Sequence, residues 1–201
     1  MWRRRPRRPN VTGVIDLHFV APGLAVGAAY PMEAAARLAA EHGIARVVDV
    51  RVEARDDEHV LRVHGIKLLH LPTRDTRAIS QPMLRDGVQF VSEGLDAGEC
   101  VLVHCQYGIG RSALLALCAL VERGDSPIEA LERAKRSRPV ISPSPDQLEA
   151  LRVFAARLRE ERGAPWDVPS LRALGAIAWR HLGGAGDASD EEAAAASTRR
   201  R

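Results

Sequence analysis

Residues 104–112 read His-Cys-Gln-Tyr-Gly-Ile-Gly-Arg-Ser, and the chemistry of the chain concentrates there. The stretch carries a thiol (Cys105), two glycines (Gly108 and Gly110), a guanidinium (Arg111) and a hydroxyl (Ser112). The apolar run Cys100-Val101-Leu102-Val103 precedes it, and residues 113–121 behind it are apolar almost throughout. That pattern predicts a strand, a tight glycine loop and a buried helix. A helix N-terminus offers unpaired N–H groups and the positive end of the helix dipole, so it binds anions. A cysteine at its lip is expected as the thiolate, with a pKa brought to roughly 3.5–7.5. The chemistry to expect is a nucleophilic thiolate aimed at a bound oxyanion.

The spacing narrows the anion. Five residues between Cys105 and Arg111 make a loop of the size that wraps a tetrahedral oxyanion. The successive amides of Gln106, Tyr107, Gly108, Ile109 and Gly110 can turn inward, and the guanidinium completes the cradle in bidentate fashion. Gly108 and Gly110 allow backbone angles that other residues resist. Ser112 is placed to donate a hydrogen bond to the cysteine sulfur.

The elements that must hold this loop are legible around it. Residues 14–20 alternate as a half-buried strand, Pro22-Gly23 makes a turn, and residues 24–27 form a second short strand. An alanine-rich helix is expected over 31–42, with Pro31 in its first turn and Gly43 as its stop. Strands follow at 45–50 and 66–71, separated by the charged connection 55–58 and a short helix over 58–64. Residues 73–80 are a polar loop. Leu84, Val88, Val91 and Leu95 recur at helical spacing over 82–95. Beyond the thiol loop, Ser126-Pro127-Ile128-Glu129 and Ser144-Pro145-Asp146-Gln147 are capping boxes that start two more helices, to about residues 137 and 162. An amphipathic helix over 168–182 comes last. Alternating strands and helices define an α/β fold with a central, mostly parallel sheet flanked by helices. Ligands of such sheets sit outside the carboxyl ends of the strands. Two loops therefore meet at one edge, the thiol loop and 73–80. The organisation expected is a disordered basic arm over 1–10, one domain over 11–162, an appended helix over 163–183 and a disordered tail over 184–201.

With this context, His-Cys-x5-Arg-Ser resembles the signature of the cysteine-dependent protein tyrosine phosphatases, most closely their compact dual-specificity branch. The resemblance runs from about Val14 to Arg162. It implies a metal-independent, cofactor-free phosphomonoester hydrolase working through a phosphocysteine. Cys105 is then the nucleophile, Arg111 and the loop amides hold the phosphoryl oxygens, and Ser112 eases departure of the thiolate. The family also needs an aspartate as general acid, and Asp75 stands at the matching place. The residues support the same choice, since Asp75 follows a strand end beside the thiol loop. Asp86 lies inside a helix, and Asp56 and Asp57 are more distant. His104 is expected to orient the loop through a hydrogen bond. Gln147 is read as a capping residue without a catalytic part, Cys118 as core, and Trp166 and Trp179 as packing for the last helix.

Composition bounds the partners. The net charge of +3 is concentrated in the terminal arginines, five of which lie in the first eight residues. The body is near neutral, so no nucleic-acid substrate is indicated. Three cysteines without metal-ligand spacing point to free thiols in a reducing, cytoplasmic setting. Asp16, His18, Pro22 and Gly23 interrupt any export signal, and no apolar run is long enough to span a membrane. Gln106, Tyr107 and Ile109 are uncharged, which disfavours a polyphosphorylated inositol lipid. Protein phosphotyrosine, with phosphoserine and phosphothreonine beside it, is the expected substrate. A phosphatase of a non-protein substrate, such as a phospholipid, sugar or nucleotide phosphate, or a phosphate-binding module without catalysis, is the alternative. A rhodanese-type loop is usually shorter, and low-mass phosphatases and arsenate reductases carry their cysteine near the N-terminus.

Overall fold

The computed structural model describes residues 14–180. The expected basic arm and acidic tail lie outside the described residues. Within them a five-stranded sheet has the order β1-β2-β5-β3-β4. The strands are β1 (Leu17–Ala21), β2 (Leu24–Gly27), β3 (Ile44–Arg51), β4 (Lys67–Thr73) and β5 (Cys100–His104). Only β1 runs antiparallel to its neighbour; the pairs β2–β5, β5–β3 and β3–β4 are parallel. The sheet is thus mixed α/β with a mostly parallel core, as the alternation of elements requires.

Helices cover both faces. On one side lie α1 (Ala35–His42) and α2 (Glu58–Val63), packed on Ala25, Val47 and Leu102. On the other lie α3 (Gln81–Asp96), α4 (Arg111–Glu122), α5 (Pro127–Ser137), α6 (Pro145–Arg162) and α7 (Leu171–Ala178). Val101 and Val103 of β5 and Val48 and Val50 of β3 face this second layer. The alternation of Val101, Leu102 and Val103 between the layers is the two-residue period of a strand buried on both faces. Helix α4 is buried from Arg111 to Val121, so the helix behind the thiol loop is the centre of the core.

The two capping boxes form as read: Ser126 pairs reciprocally with Glu129, and Ser144 with Gln147. Three expected elements shift, the last helix among them: expected over 168–182, it starts at Leu171 behind its N-cap Ser170 and ends at Ala178. The 31–42 helix begins as a 3-10 turn, Met32–Ala34, before α1. Pro31 is extended and caps no amide with a side chain, so the first turn tightens instead. Strand β1 starts at Leu17, later than expected, because its ladder is set by pairing Leu17 with Gly27 at the end of β2.

Candidate active site

Three parallel strands end on the same edge, and each end delivers a group to one guanidinium. Arg111 is the first residue of α4 and only 1% exposed. Beyond β3, Glu53 accepts from it twice, from NH1 at 2.8 Å and from NH2 at 2.7 Å. At the end of β4, the Thr73 carbonyl accepts from NH1 at 2.8 Å. Just after β4, Asp75 Oδ1 lies 3.3 Å from Nε. Beyond β5 comes Cys105.

Counting guanidinium hydrogens shows what is left. Both NH1 hydrogens and one NH2 hydrogen are engaged by Glu53 and Thr73. The Nε–H and the second NH2 hydrogen form the remaining edge, and Nε is buried with no hydrogen-bond partner. Such an edge is a bidentate site for an oxyanion. Glu53 fixes the plane from the opposite side, and the guanidinium beside it holds its carboxyl below the usual range.

Cys105 is 97% buried by the same measure of surface, with its sulfur 3.3 Å from both the Ser112 hydroxyl and the Gly108 amide. Burial opposes ionisation of the thiol. Hydrogen bonds from the Ser112 hydroxyl and from the amides of Ser112, Tyr107 and Gly108 outweigh it and hold the pKa below the ordinary thiol value. The expected contact between Ser112 and the sulfur is therefore present, and the Gly108 amide also reaches the sulfur. Gly108 has φ +65°, and a Cβ there would lie 2.6 Å from the Gly27 backbone. Gly110 has no room for a Cβ because Gln147 Oε1 would be 2.5 Å from it. Gln106, Tyr107 and Ile109 have exposed side chains and line the rim, while Gly110 opens α4 as its N-cap.

The acid loop is tied down from outside. Arg74 and Arg77 close a turn through a backbone bond of 3.2 Å, with Asp75 at its head and Thr76 at φ +63°. The Ser144 hydroxyl donates to the Thr76 carbonyl, and Gln147 Nε2 donates to the Arg77 carbonyl at 3.1 Å. Gln147 therefore caps α6, abuts the thiol loop and holds the acid loop together. The other acids stand elsewhere. Asp57 caps α2, Asp86 lies within α3, and Asp56 is buried behind the site.

His104 is fully buried in a charged cluster under the thiol loop. Its Nε2 lies 3.0 Å from Asp56 Oδ2, and its ring packs against Tyr30 at 5.0 Å between centroids. Neither ring nitrogen reaches hydrogen-bond geometry, and no bond from the ring to the thiol loop is found among the described residues. The expected orienting hydrogen bond is replaced by contact with the cluster. Arg51 bridges Asp49 at 2.9 Å and Asp56 at 2.6 Å, and the Tyr30 hydroxyl donates to Asp56 at 2.5 Å. Burial raises the Asp56 carboxyl, yet His104, Tyr30 and Arg51 together hold it below the usual range. Asp49, Asp56 and His104 offer atoms close enough to share a cation. The Arg51 guanidinium already supplies that positive charge.

Sequence reasoning missed Glu53 and Arg138. Arg138 is 2% exposed and donates to the carbonyls of Gly108 at 2.9 Å and Tyr107 at 3.1 Å. Asp16 holds its other edge, at 2.5 and 2.9 Å. The only signal for Glu53 was its place just past a strand's carboxyl end. For Arg138 there was none, since a loop arginine reads as solvated.

Comparison with known proteins agrees with this geometry. The model of the dual specificity phosphatase catalytic domain matches residues 27–157, more than half of the chain. The phosphatidylglycerophosphatase and protein-tyrosine phosphatase 1 of Rattus norvegicus is 38% identical over 92 residues, 45% of this chain and 48% of that protein. Dual specificity protein phosphatase 16 of Homo sapiens is 34% identical over 94 residues, 46% of this chain and 14% of that protein. The chain thus matches less than half the length of either. Among solved structures, PTPMT1 in complex with PI(5)P superposes with a TM-score of 0.68 at 28% identity, covering 72% of this chain and 97% of that one. Tk-PTP in its active form gives 0.65 at 26%, covering 71% and 97%. No helix among the described residues is long and apolar enough to cross a membrane. By its motif, fold and family match, the chain belongs to the dual-specificity phosphatase branch of the cysteine-dependent protein tyrosine phosphatases.

Proposed function

We propose that the protein is a metal-independent phosphomonoester hydrolase working through a phosphocysteine, with protein phosphotyrosine as its preferred substrate and phosphoserine and phosphothreonine as further ones. The observation that carries this reading is the Nε–NH2 edge of buried Arg111, whose Nε makes no hydrogen bond and has the Asp75 carboxylate 3.3 Å away, beside a thiol held below its ordinary pKa. The phosphoryl oxygens take that edge and the loop amides. The Cys105 thiolate attacks phosphorus in line, forming the S–P bond as the ester P–O bond breaks. The electron pair leaves with the ester oxygen, which takes a proton from Asp75. Water then attacks the phosphocysteine and gives its proton to ionised Asp75. The S–P bond breaks, and the Ser112 hydroxyl stabilises the departing thiolate. Arg111 and the amides meet charge spread over three equatorial oxygens throughout. Free Cys100, Cys105 and Cys118 suit a reducing compartment, the cytoplasm.

A second reading has an observation of its own. Tyr107 and Val140 are half exposed and Ile109 is over one-third exposed, and the segments that carry them are joined by the bonds of Arg138 to the Tyr107 carbonyl and of the Ser142 amide to the Ile109 carbonyl. This apolar rim suits a phosphomonoester on a lipid, and the names of the phosphatidylglycerophosphatase relative and the PI(5)P complex point the same way. The test uses p-nitrophenyl phosphate in the presence of EDTA, then phosphotyrosine peptides, phosphatidylglycerophosphate and PI(5)P. Hydrolysis without metal is expected, and Cys105→Ser abolishes it while trapping the preferred substrate. Activity persisting in Cys105→Ser removes the mechanism. An Asp75→Asn variant loses roughly 10²–10⁴-fold in rate; an unchanged rate assigns the acid elsewhere.

A further inference from the structure

We propose that helix α7 is a working part of the active site, with Trp179 and Lys135 as positioning residues that act on the thiol loop through residues 138–143. The inference rests on the phosphomonoesterase reading. It begins from a constraint on the loop itself. Amides that point inward at an anion leave their neighbouring carbonyls pointing outward, and buried carbonyls need donors. Three successive loop carbonyls find them in one segment. Arg138 serves Tyr107 and Gly108, and the Ser142 amide serves Ile109 at 2.9 Å.

That segment lacks regular structure and contains Pro139 and Pro143, so little in its own backbone fixes it. It is fixed from behind by α7. Trp179, which caps the C-terminus of α7, donates from Nε1 to the Pro143 carbonyl at 3.0 Å. The Ser142 hydroxyl donates to the Ala178 carbonyl at 3.3 Å. The Lys135 ammonium, 7% exposed by residue, donates to the carbonyls of Ala178 at 2.8 Å, Ile141 at 2.8 Å and Pro139 at 3.1 Å. One ammonium thus joins the last turn of α7 to both ends of the segment's turn. The helix is built for this contact. A Cβ at Gly175 would lie 2.6 Å from the Trp179 ring, so the glycine makes room for the indole to fold back. Leu174 and Ala178 are fully buried against the domain. Helix α7 lies beyond residue 157, where the family match ends.

The test uses the full chain with Trp179→Phe, which keeps an aromatic ring and removes the N–H donor, and Lys135→Gln alongside it. Three readouts are taken well below the melting temperature: the pH midpoint of Cys105 alkylation by iodoacetate, the inhibition constant of vanadate, and the pH profile of kcat/KM. Trp179→Phe raises the alkylation midpoint and weakens vanadate about 3–10-fold, as expected for losing one hydrogen bond behind the loop. Lys135→Gln moves both further in the same direction. A Trp179→Phe protein with unchanged midpoint and vanadate affinity, whatever its melting temperature, reduces α7 to packing and overturns the proposal. Should Lys135→Gln fail to fold, Trp179→Phe decides alone. A wild-type protein that hydrolyses no phosphomonoester would fail the proposed function, and the alkylation midpoint would still decide the role of α7.

Discussion

Cys105 and Cys118 are both buried thiols on the same strand–loop–helix unit, yet their environments push them in opposite directions. Cys118 sits inside α4 with 0% exposure among apolar side chains, and burial drives its pKa far up. Cys105 is nearly as buried, at 3%, but it lies in the loop between β5 and α4, where the Ser112 hydroxyl and amides of the loop and of the first turn of α4 lower its pKa. Burial alone therefore does not decide ionisation. What decides it is whether hydrogen-bond donors without other partners converge on the atom. A helix supplies them at its first turn and has none to spare at its middle. The helix holds one thiol in its middle, and the loop that leads into its first turn holds the other.

The largest test of this contrast is chemical selectivity. Iodoacetate near pH 6 is expected to carboxymethylate Cys105 at least about 10²-fold faster than Cys118 in the folded protein, read by peptide mass spectrometry. Half-buried Cys100 is the internal reference. Equal labelling of Cys105 and Cys118 would break the comparison outright. A smaller effect comes from removing one donor. The pKa of Cys105 is lowered, so its thiolate is present above that pKa and lost as pH falls through it. This loss forms the acid limb of kcat/KM. Ser112→Ala removes the leading stabilising hydrogen bond, so the limb moves to higher pH. Thiolate departure slows roughly tenfold, and a burst of phosphoenzyme appears. An unmoved limb assigns the stabilisation to the amides alone.

How much of this could be read from the chain follows the range of each interaction. The thiol loop, Ser112 and the two capping boxes were legible because their partners lie within a few residues. Asp75 was legible because it follows the end of a strand at the same carboxyl edge of the sheet as the thiol loop, and the family resemblance asked for an acid there. Glu53 was passed over although it obeys the same rule of strand ends. Residues around it read as a charged connection, and nothing local says that β3 lies between β4 and β5. Arg138 was beyond reach for a stronger reason. Its carboxylate partner, Asp16, is 122 positions away and belongs to the approach to β1. Its other partners are the His18 ring, 120 positions away, and backbone carbonyls, which carry no sequence signal. His104 shows the converse. Its place before the cysteine suggested a bond to the loop, but Asp49, Asp56 and Arg51 assemble around it from β3 and the segment that follows.

The smallest expected effect sharpens the comparison from the inert side. Cys118→Ser puts a hydroxyl where the thiol is fully buried within the apolar cluster that α4 belongs to. The hydroxyl can bond back to the Leu114 carbonyl within the helix, which recovers part of its desolvation cost. The folded state is expected to lose about 1–2 kcal/mol, read as a lower denaturant midpoint at unchanged slope. Activity at 25 °C stays at the wild-type level, with the same acid limb. A limb that moved with Cys118→Ser would mean that strain in the middle of α4 reaches its first turn. The Cys105 environment would then belong to the whole helix, and its N-terminal donors would no longer suffice to explain the difference between the two thiols.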